Sequence, residues 1–185
     1  MIQPLKANQI WSMDFMYDVL KTGRKFRTLN IIDDYNREAL AIEAKFSFTS
    51  HMVTTLLNNL IKEKGKPERI RVDNGPEFIA AILGDWCFAN GIKLLFIQRR
   101  KATQNGFIER FNRTFRQDVL DSYIFENISQ VRILAEEWKD EYNQTRPHEA
   151  LGGMTPIQFK IKNGQIHQGE ASFSLVNDNL LIYEK

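Results

Sequence analysis

Cysteine is almost missing from this chain. A single residue, Cys87, excludes an internal disulfide and a cysteine-based zinc cluster, and the three histidines are scattered along the sequence. The expectation is a reducing, intracellular setting. Long apolar runs are missing too: none approaches the ~18–20 residues that span a bilayer. The opening MIQPLKANQ has no apolar core of the kind a secretory signal carries. No membrane partner is expected, and the location expected is cytoplasmic. An excess of charge of one sign is also lacking. With 25 basic and 23 acidic side chains the net charge is only +2, so a polyanionic partner does not follow from the total.

What remains is an ordinary folded-domain balance, 43% hydrophobic and 26% charged over 185 residues, enough for one α/β domain with a real core. IWSMDFMY (10–17) alternates as a strand and sets Ile10, Ser12, Asp14 and Met16 on one face. A turn at Lys21–Arg24 leads to FRTLNIID (26–33), and Asp33–Asn36 turns into EALAIEA (38–44). From Thr49 to Lys64 the apolar period changes to that of a helix, with Thr49 or Ser50 as cap and Gly65 as stop. RIRV (69–72) reads as a short buried strand, 77–89 as a helix opened by Pro76, and IKLLFI (92–97) as a fifth strand. Helices follow over about 104–122 and 129–142, then a helical turn at TPIQF and a small hairpin within ASFSLV…LLIYE. The order β-β-β-α-β-α-β-α-α predicts a ribonuclease H-like α/β fold, a five-stranded mixed sheet flanked by helices.

Three acids stand out on this frame. Asp73 ends the fourth strand in RIRVDNGPEF, and Glu109 opens an amphipathic helix in TQNGFIERFNRTFR, with thirty-five residues between them. Asp14 lies inside the first strand, and Asp18, Asp33 and Asp34 are nearby rivals for its place. A ribonuclease H-like sheet makes the first and fourth strands neighbours, so Asp14 and Asp73 can converge, with Glu109 arriving from the helix. Carboxylates are the donors that magnesium takes. Two such ions held together would support in-line displacement at phosphorus.

The basic residues are concentrated near the same place. Arg99, Arg100 and Lys101 precede Glu109, and Arg110, Arg113 and Arg116 follow it. At about 100° per residue, Arg113 and Arg116 lie within about 40° of Glu109, while Ile108, Phe111, Phe115 and Val119 form a separate apolar face. The helix is expected to present Glu109, Asn112, Arg113 and Arg116 together, the arginines to DNA phosphates. Asp73 also has a plain alternative as a turn residue or helix cap, and Glu109 with its arginines as a salt-bridged surface.

WSMDF, RVDNGPEF, TQNGFIERFNRTFR and YNQTRPHEALGGMTP, in this order and spacing, resemble the retroviral-integrase-like catalytic core of bacterial insertion-sequence transposases. The likeness covers about residues 7–160, and four separated motifs agree. It implies a two-Asp, one-Glu site formed by Asp14, Asp73 and Glu109, holding Mg²⁺ or Mn²⁺ (two ions), for DNA cleavage and strand transfer by a 3′-hydroxyl. Motif neighbours are Asn74, Gly75, Gln104, Asn105 and Asn112; Lys101, Gln104, Asn105, Asn112, Arg113 and Arg116 are the expected DNA contacts. Arg146 and His148 either brace the long helices or touch DNA, with bracing favoured.

The implied partners are DNA in the nucleoid and further copies of the chain. The family also carries a helix-turn-helix region ahead of the core, so a separately encoded subunit with that region, or a full-length transposase, is a further expected partner. The expected division is a core over 1–160 and a tail over 161–185. The alternative to a catalytic core is a non-catalytic remnant or regulator that binds DNA or partner subunits. One departure is Arg99-Arg100, which stands where the family often has a Pro-Gly-like turn.

Overall fold

The computed structural model describes residues 4–79, 81–97 and 105–164. Its sheet has five strands: β1 (Ile10–Val19), β2 (Lys25–Asp33), β3 (Ala39–Lys45), β4 (Arg69–Val72) and β5 (Lys93–Phe96), in the spatial order β3-β2-β1-β4-β5. The three sequential strands pair antiparallel, whereas β1–β4 and β4–β5 are parallel and reached through helical crossovers. The expected mixed sheet is therefore present. β1 lies at its centre and is longer than the 10–17 reading, because its pairing with β2 continues from Trp11–Asp33 to Val19–Lys25.

Alternation along β1 divides the core in two. Trp11 and Met13 face one way, into a cluster with Val53, Leu57 and Leu60 of α1 (Ser50–Lys64) and with Phe78, Leu83 and Cys87. Those last three come from α2 (Pro76–Ile79) and α3 (Ala81–Ala89). Met16 faces the other way, with Phe26, Ile32 and Ile42, against Ile108, Phe111 and Phe115 of α4 (Gly106–Phe115) and Val131 and Ala135 of α5 (Ile128–Gln144). A register shift at Ile31/Ile32 in the β2–β3 pairing accompanies the division, with Ile31 in the first cluster and Ile32 in the second.

The ends of the elements follow local chemistry. Thr49, not Ser50, caps α1 by accepting from Met52 N, and Gly65 at φ +89° closes it in a conformation that L side chains rarely adopt. The helix read over 104–122 is α4 continued by a π-helical turn over Arg116–Leu120. α6 (Pro156–Lys162) starts at a Thr155–Gln158 capping box and is longer than the single turn read there. It runs through the boundary expected at residue 160. The hairpin expected between 171 and 184 lies outside the described residues, and among the described residues no helix is long and apolar enough to cross a membrane.

Candidate active site

Asp14 sits mid-way along the central strand, half-buried, on the face covered by α4. Oδ1 accepts the Phe15 backbone N–H at 2.9 Å and Oδ2 accepts Asn112 Nδ2 at 2.8 Å. Its pKa is pushed up to about 6, first by burial and next by the negative charge of Asp73, with Glu109 adding to the shift.

Asp73 is placed by strand register. β1 and β4 pair Ile10 with Arg69, Trp11 with Ile70 and Ser12 with Arg71. Carried two residues further, the same register sets 14 against 73. β4 ends at Val72, and the chain turns at once: Asp73 Oδ1 accepts the Gly75 N–H at 2.9 Å, and Asn74 Nδ2 donates to Ile97 O at 3.0 Å. A Cβ on Gly75 would lie 3.0 Å from Asp73 Oδ1, so the glycine lets the carboxylate fold over its own turn. The plain turn reading of Asp73 is thus true of one oxygen, and the side chain remains exposed.

Glu109 comes from the first turn of α4 and is exposed, because Ile108, Phe111 and Phe115 bury the opposite flank. The three carboxylates therefore arrive from β1, from the end of β4 and from α4, and Asp14 feels both of the others. Among the described residues none of the three enters an ion pair. Nor, among those residues, do three His, Cys, Asp or Glu side chains close on one point tightly enough to form a finished metal cage. Geometry and charge thus say different things, and both hold: the acids are near enough to repel, and not drawn together. As a donor set they suit a hard divalent cation, all oxygen and uncompensated by protein cations.

The rivals for Asp14 have other work. Asp33 accepts Asn8 N at 2.7 Å and Tyr35 N at 2.9 Å; Asp34 is fully buried against Arg71 at 2.6 Å. Asp18 lies 3.5 Å from Arg116.

The expected DNA contacts separate on inspection. Arg113 is exposed and enters no ion pair among the described residues. Arg116 turns back to the fold: Nη2 donates to Tyr17 O at 2.8 Å, and Nη1 lies 3.4 Å from Asp121 Oδ1. Asn105 is buried at the start of α4, and Lys101 and Gln104 lie outside the described residues. Asn112 is also buried, accepting from Asn30 Nδ2 at 2.7 Å while donating to Asp14. On the helical wheel it stands at the edge between the apolar face and Glu109, so burial of that face carries it inward.

Arg146 pairs with Asp118 at 2.5 Å, and the His148 ring packs against Tyr142 at 5.0 Å between centroids. Burial, then the nearby arginines, pushes the His148 pKa down to about 4. These contacts are of the bracing kind.

Sequence reading missed Asn30. The available signal was a lone amide in the apolar run TLNII, and the register sets it directly against Asp14.

Two models, both described as an integrase core domain, match residues 4–102 and 90–156. An uncharacterized 31.7 kDa protein of insertion element IS407 from Burkholderia multivorans is 35% identical over 92% of this chain and 61% of its own length. The putative transposase InsK of element IS150 from Escherichia coli is 24% identical over 84% of this chain and 55% of its own. The chain thus spans less than two thirds of the length of these curated relatives. The magnesium-bound catalytic core of HTLV-2 integrase superposes with a TM-score of 0.67 at 22% identity, covering 84% of this chain and 97% of that one. A simian T-cell lymphotropic virus intasome chain superposes at 0.71 with 20% identity, covering 86% of this chain and 56% of that one. These last two likenesses establish the ribonuclease H-like fold. On its sequence match over more than half its length, the chain belongs to the integrase core domain family, in the form carried by insertion-sequence transposases.

Proposed function

We infer that the chain is the catalytic core of a DNA transposase, a polynucleotidyl transferase that cleaves DNA at element ends and joins a 3′-hydroxyl to target DNA. One observation carries this reading: Asp73 and Glu109, from two other elements, both act electrostatically on Asp14, and none of the three enters an ion pair among the described residues. In a fold held together elsewhere by paired charges, such a group suits a cationic ligand rather than stability.

Asp14, Asp73 and Glu109 would hold Mg²⁺ or Mn²⁺, as two ions. Bound there, the cations supply activation of the attacking hydroxyl and stabilisation of the leaving oxygen at phosphorus. The chain's own residues do the rest. Phe15 N–H and Asn112 fix the Asp14 carboxylate, and Gly75 lets Asp73 sit over its turn. Arg113 meets DNA phosphate from the exposed side of α4, and Lys101 and Gln104 are further proposed DNA contacts. Asn105, proposed as a DNA contact, is buried at the start of that helix. Arg116 serves the same helix by fixing its end to β1, and thereby the height at which Arg113 stands.

A catalytic core of this kind works on DNA ends as an oligomer; the HTLV-2 core is known in trimeric and dimeric forms. A separately supplied helix-turn-helix region, from another subunit or a full-length transposase, would select the element's ends. The proposed division is a core over 1–160 and a tail over 161–185, with α6 crossing that boundary.

The test is a nicking and strand-transfer assay on supercoiled plasmid with Mn²⁺. Wild-type chain produces nicked and joined products, and Asp73→Asn abolishes them. Metal-dependent products that survive Asp73→Asn would overturn the assignment. Inhibition of a full-length transposase by a chain inactive on its own would assign a regulator instead.

A further inference from the structure

A buried amide two side chains away from the metal-binding acids sets the direction in which Asp14 is held. Asn30 lies on β2 directly opposite Asp14 in the antiparallel register and is fully buried. Its Nδ2 donates to Asn112 Oδ1 at 2.7 Å, and Asn112 Nδ2 in turn donates to Asp14 Oδ2 at 2.8 Å. We propose that Asn30 is a positioning residue: through Asn112 it fixes the carboxylate of Asp14 for metal binding, without itself touching metal or DNA. This rests on the reading of Asp14 as a metal ligand.

Polarity sets the orientation of both amides. A primary amide has a donor end and an acceptor end. Asn112 can satisfy an ionised Asp14 only with its NH₂ group, and would repel it with its carbonyl. Asp14 favours that orientation from one side and Asn30 locks it from the other, because a donor set against Asn112 Oδ1 leaves Nδ2 to face the acid. Asn30 is itself oriented by Met16, whose sulfur lies 3.2 Å from the same Nδ2. Its own carbonyl is then left buried with no hydrogen-bond partner. Turning Asn30 over would relieve that carbonyl, but would push the carbonyl of Asn112 against Asp14. The fold keeps the orphaned oxygen at Asn30 and the donor at the acid, the outcome a metal-binding carboxylate requires. Phe15 N–H holds the other oxygen, so both oxygens of the carboxylate are fixed.

The test uses the whole chain and two readouts. Mn²⁺ affinity is measured by titration calorimetry for wild type, Asn30→Leu, Asn112→Leu and the double variant. Solvent exchange of the Asn112 side-chain amide is followed by NMR in the metal-free chain. Asn30→Leu, near in volume and without a donor, is expected to weaken Mn²⁺ binding about tenfold and to speed exchange of the Asn112 amide. In the Asn112→Leu background it should have no further effect on Mn²⁺. Asn30→Ser, too short to reach Asn112, replaces it if leucine is not accommodated. Unchanged Mn²⁺ affinity, an unaltered Asn112 amide, or the same loss in the Asn112→Leu background would overturn the proposal. Asp14→Asn is the separate control: Mn²⁺ binding unaffected by it refutes Asp14 as a ligand, while the Asn112 exchange still decides whether the relay exists.

Discussion

Asp73 lies one residue past the end of β4, where the register that pairs Ser12 with Arg71, carried two residues on, reaches Asp14 on β1. The charge of Asp73 is the largest electrostatic cause of the raised Asp14 pKa, second only to burial. Asp73→Asn should therefore lower the Asp14 titration midpoint from about 6 towards the ordinary carboxylate range. Carbon-detected NMR titration of the metal-free chain reads this directly. A midpoint that does not move would separate the two acids.

A carboxyl with a midpoint near 6 makes metal binding depend on pH. The ligating form is the carboxylate. Above pH 6 Asp14 is already ionised, and below it a bound cation must displace a proton, so apparent Mn²⁺ affinity falls as pH falls through 6. The limiting slope is about tenfold per pH unit if one proton is released. Calorimetry in buffers of different ionisation enthalpy, between about pH 5 and 7.5, would show both the slope and the released proton. A flat profile would contradict the assignment of Asp14.

Arg113 and Arg116 lie on one helix and should behave differently. Arg113→Ala is expected to weaken DNA binding across all sequences and to reduce the salt slope of log K by about 1, with little change in stability. Arg116 is tied to Tyr17 O, Asp18 and Asp121, so Arg116→Ala should cost about 1 kcal/mol of stability through the lost brace. Urea unfolding and DNA binding at several salt concentrations distinguish them. Equal salt slopes in the two variants would contradict this division.

Asp34 and Arg71 form a buried pair at 2.6 Å. Arg71→Met would leave Asp34 without its partner inside the protein and should destabilise by about 3 kcal/mol. The double change Asp34→Leu with Arg71→Met should recover much of the loss, since an apolar pair leaves no orphaned charge. Chemical denaturation of the three variants checks this, and additive losses would contradict it.

Elements with a strong period were legible from sequence. β1 and α1 declare themselves by alternation and by an apolar stripe, and Asp73 by a turn that breaks a buried strand. Where packing decides, sequence says less. Asn112 stands at the edge of its helix's apolar face, and only the closeness of α4 to β1 turns it inward to Asp14. Arg116 is one more arginine until Tyr17 and Asp121 are beside it. Asn30 is a single amide among apolar residues, and its meaning depends on a strand register that local pattern does not fix. The YNQTRPHEALGG segment shows its bracing role only through its packing: Arg146 reaches Asp118 in another part of the chain, and His148 folds back onto Tyr142 at the segment's own start.

On this reading Asp14, Asp73 and Glu109 form one divalent-cation site. Anomalous diffraction from crystals soaked in Mn²⁺ near pH 7.5 tests it most directly. The expected result is manganese bound by oxygens of Asp14 and Asp73, with a second ion about 3.5–4 Å away that Glu109 helps to hold. Manganese bound elsewhere, with none between Asp14 and Asp73, would contradict the account.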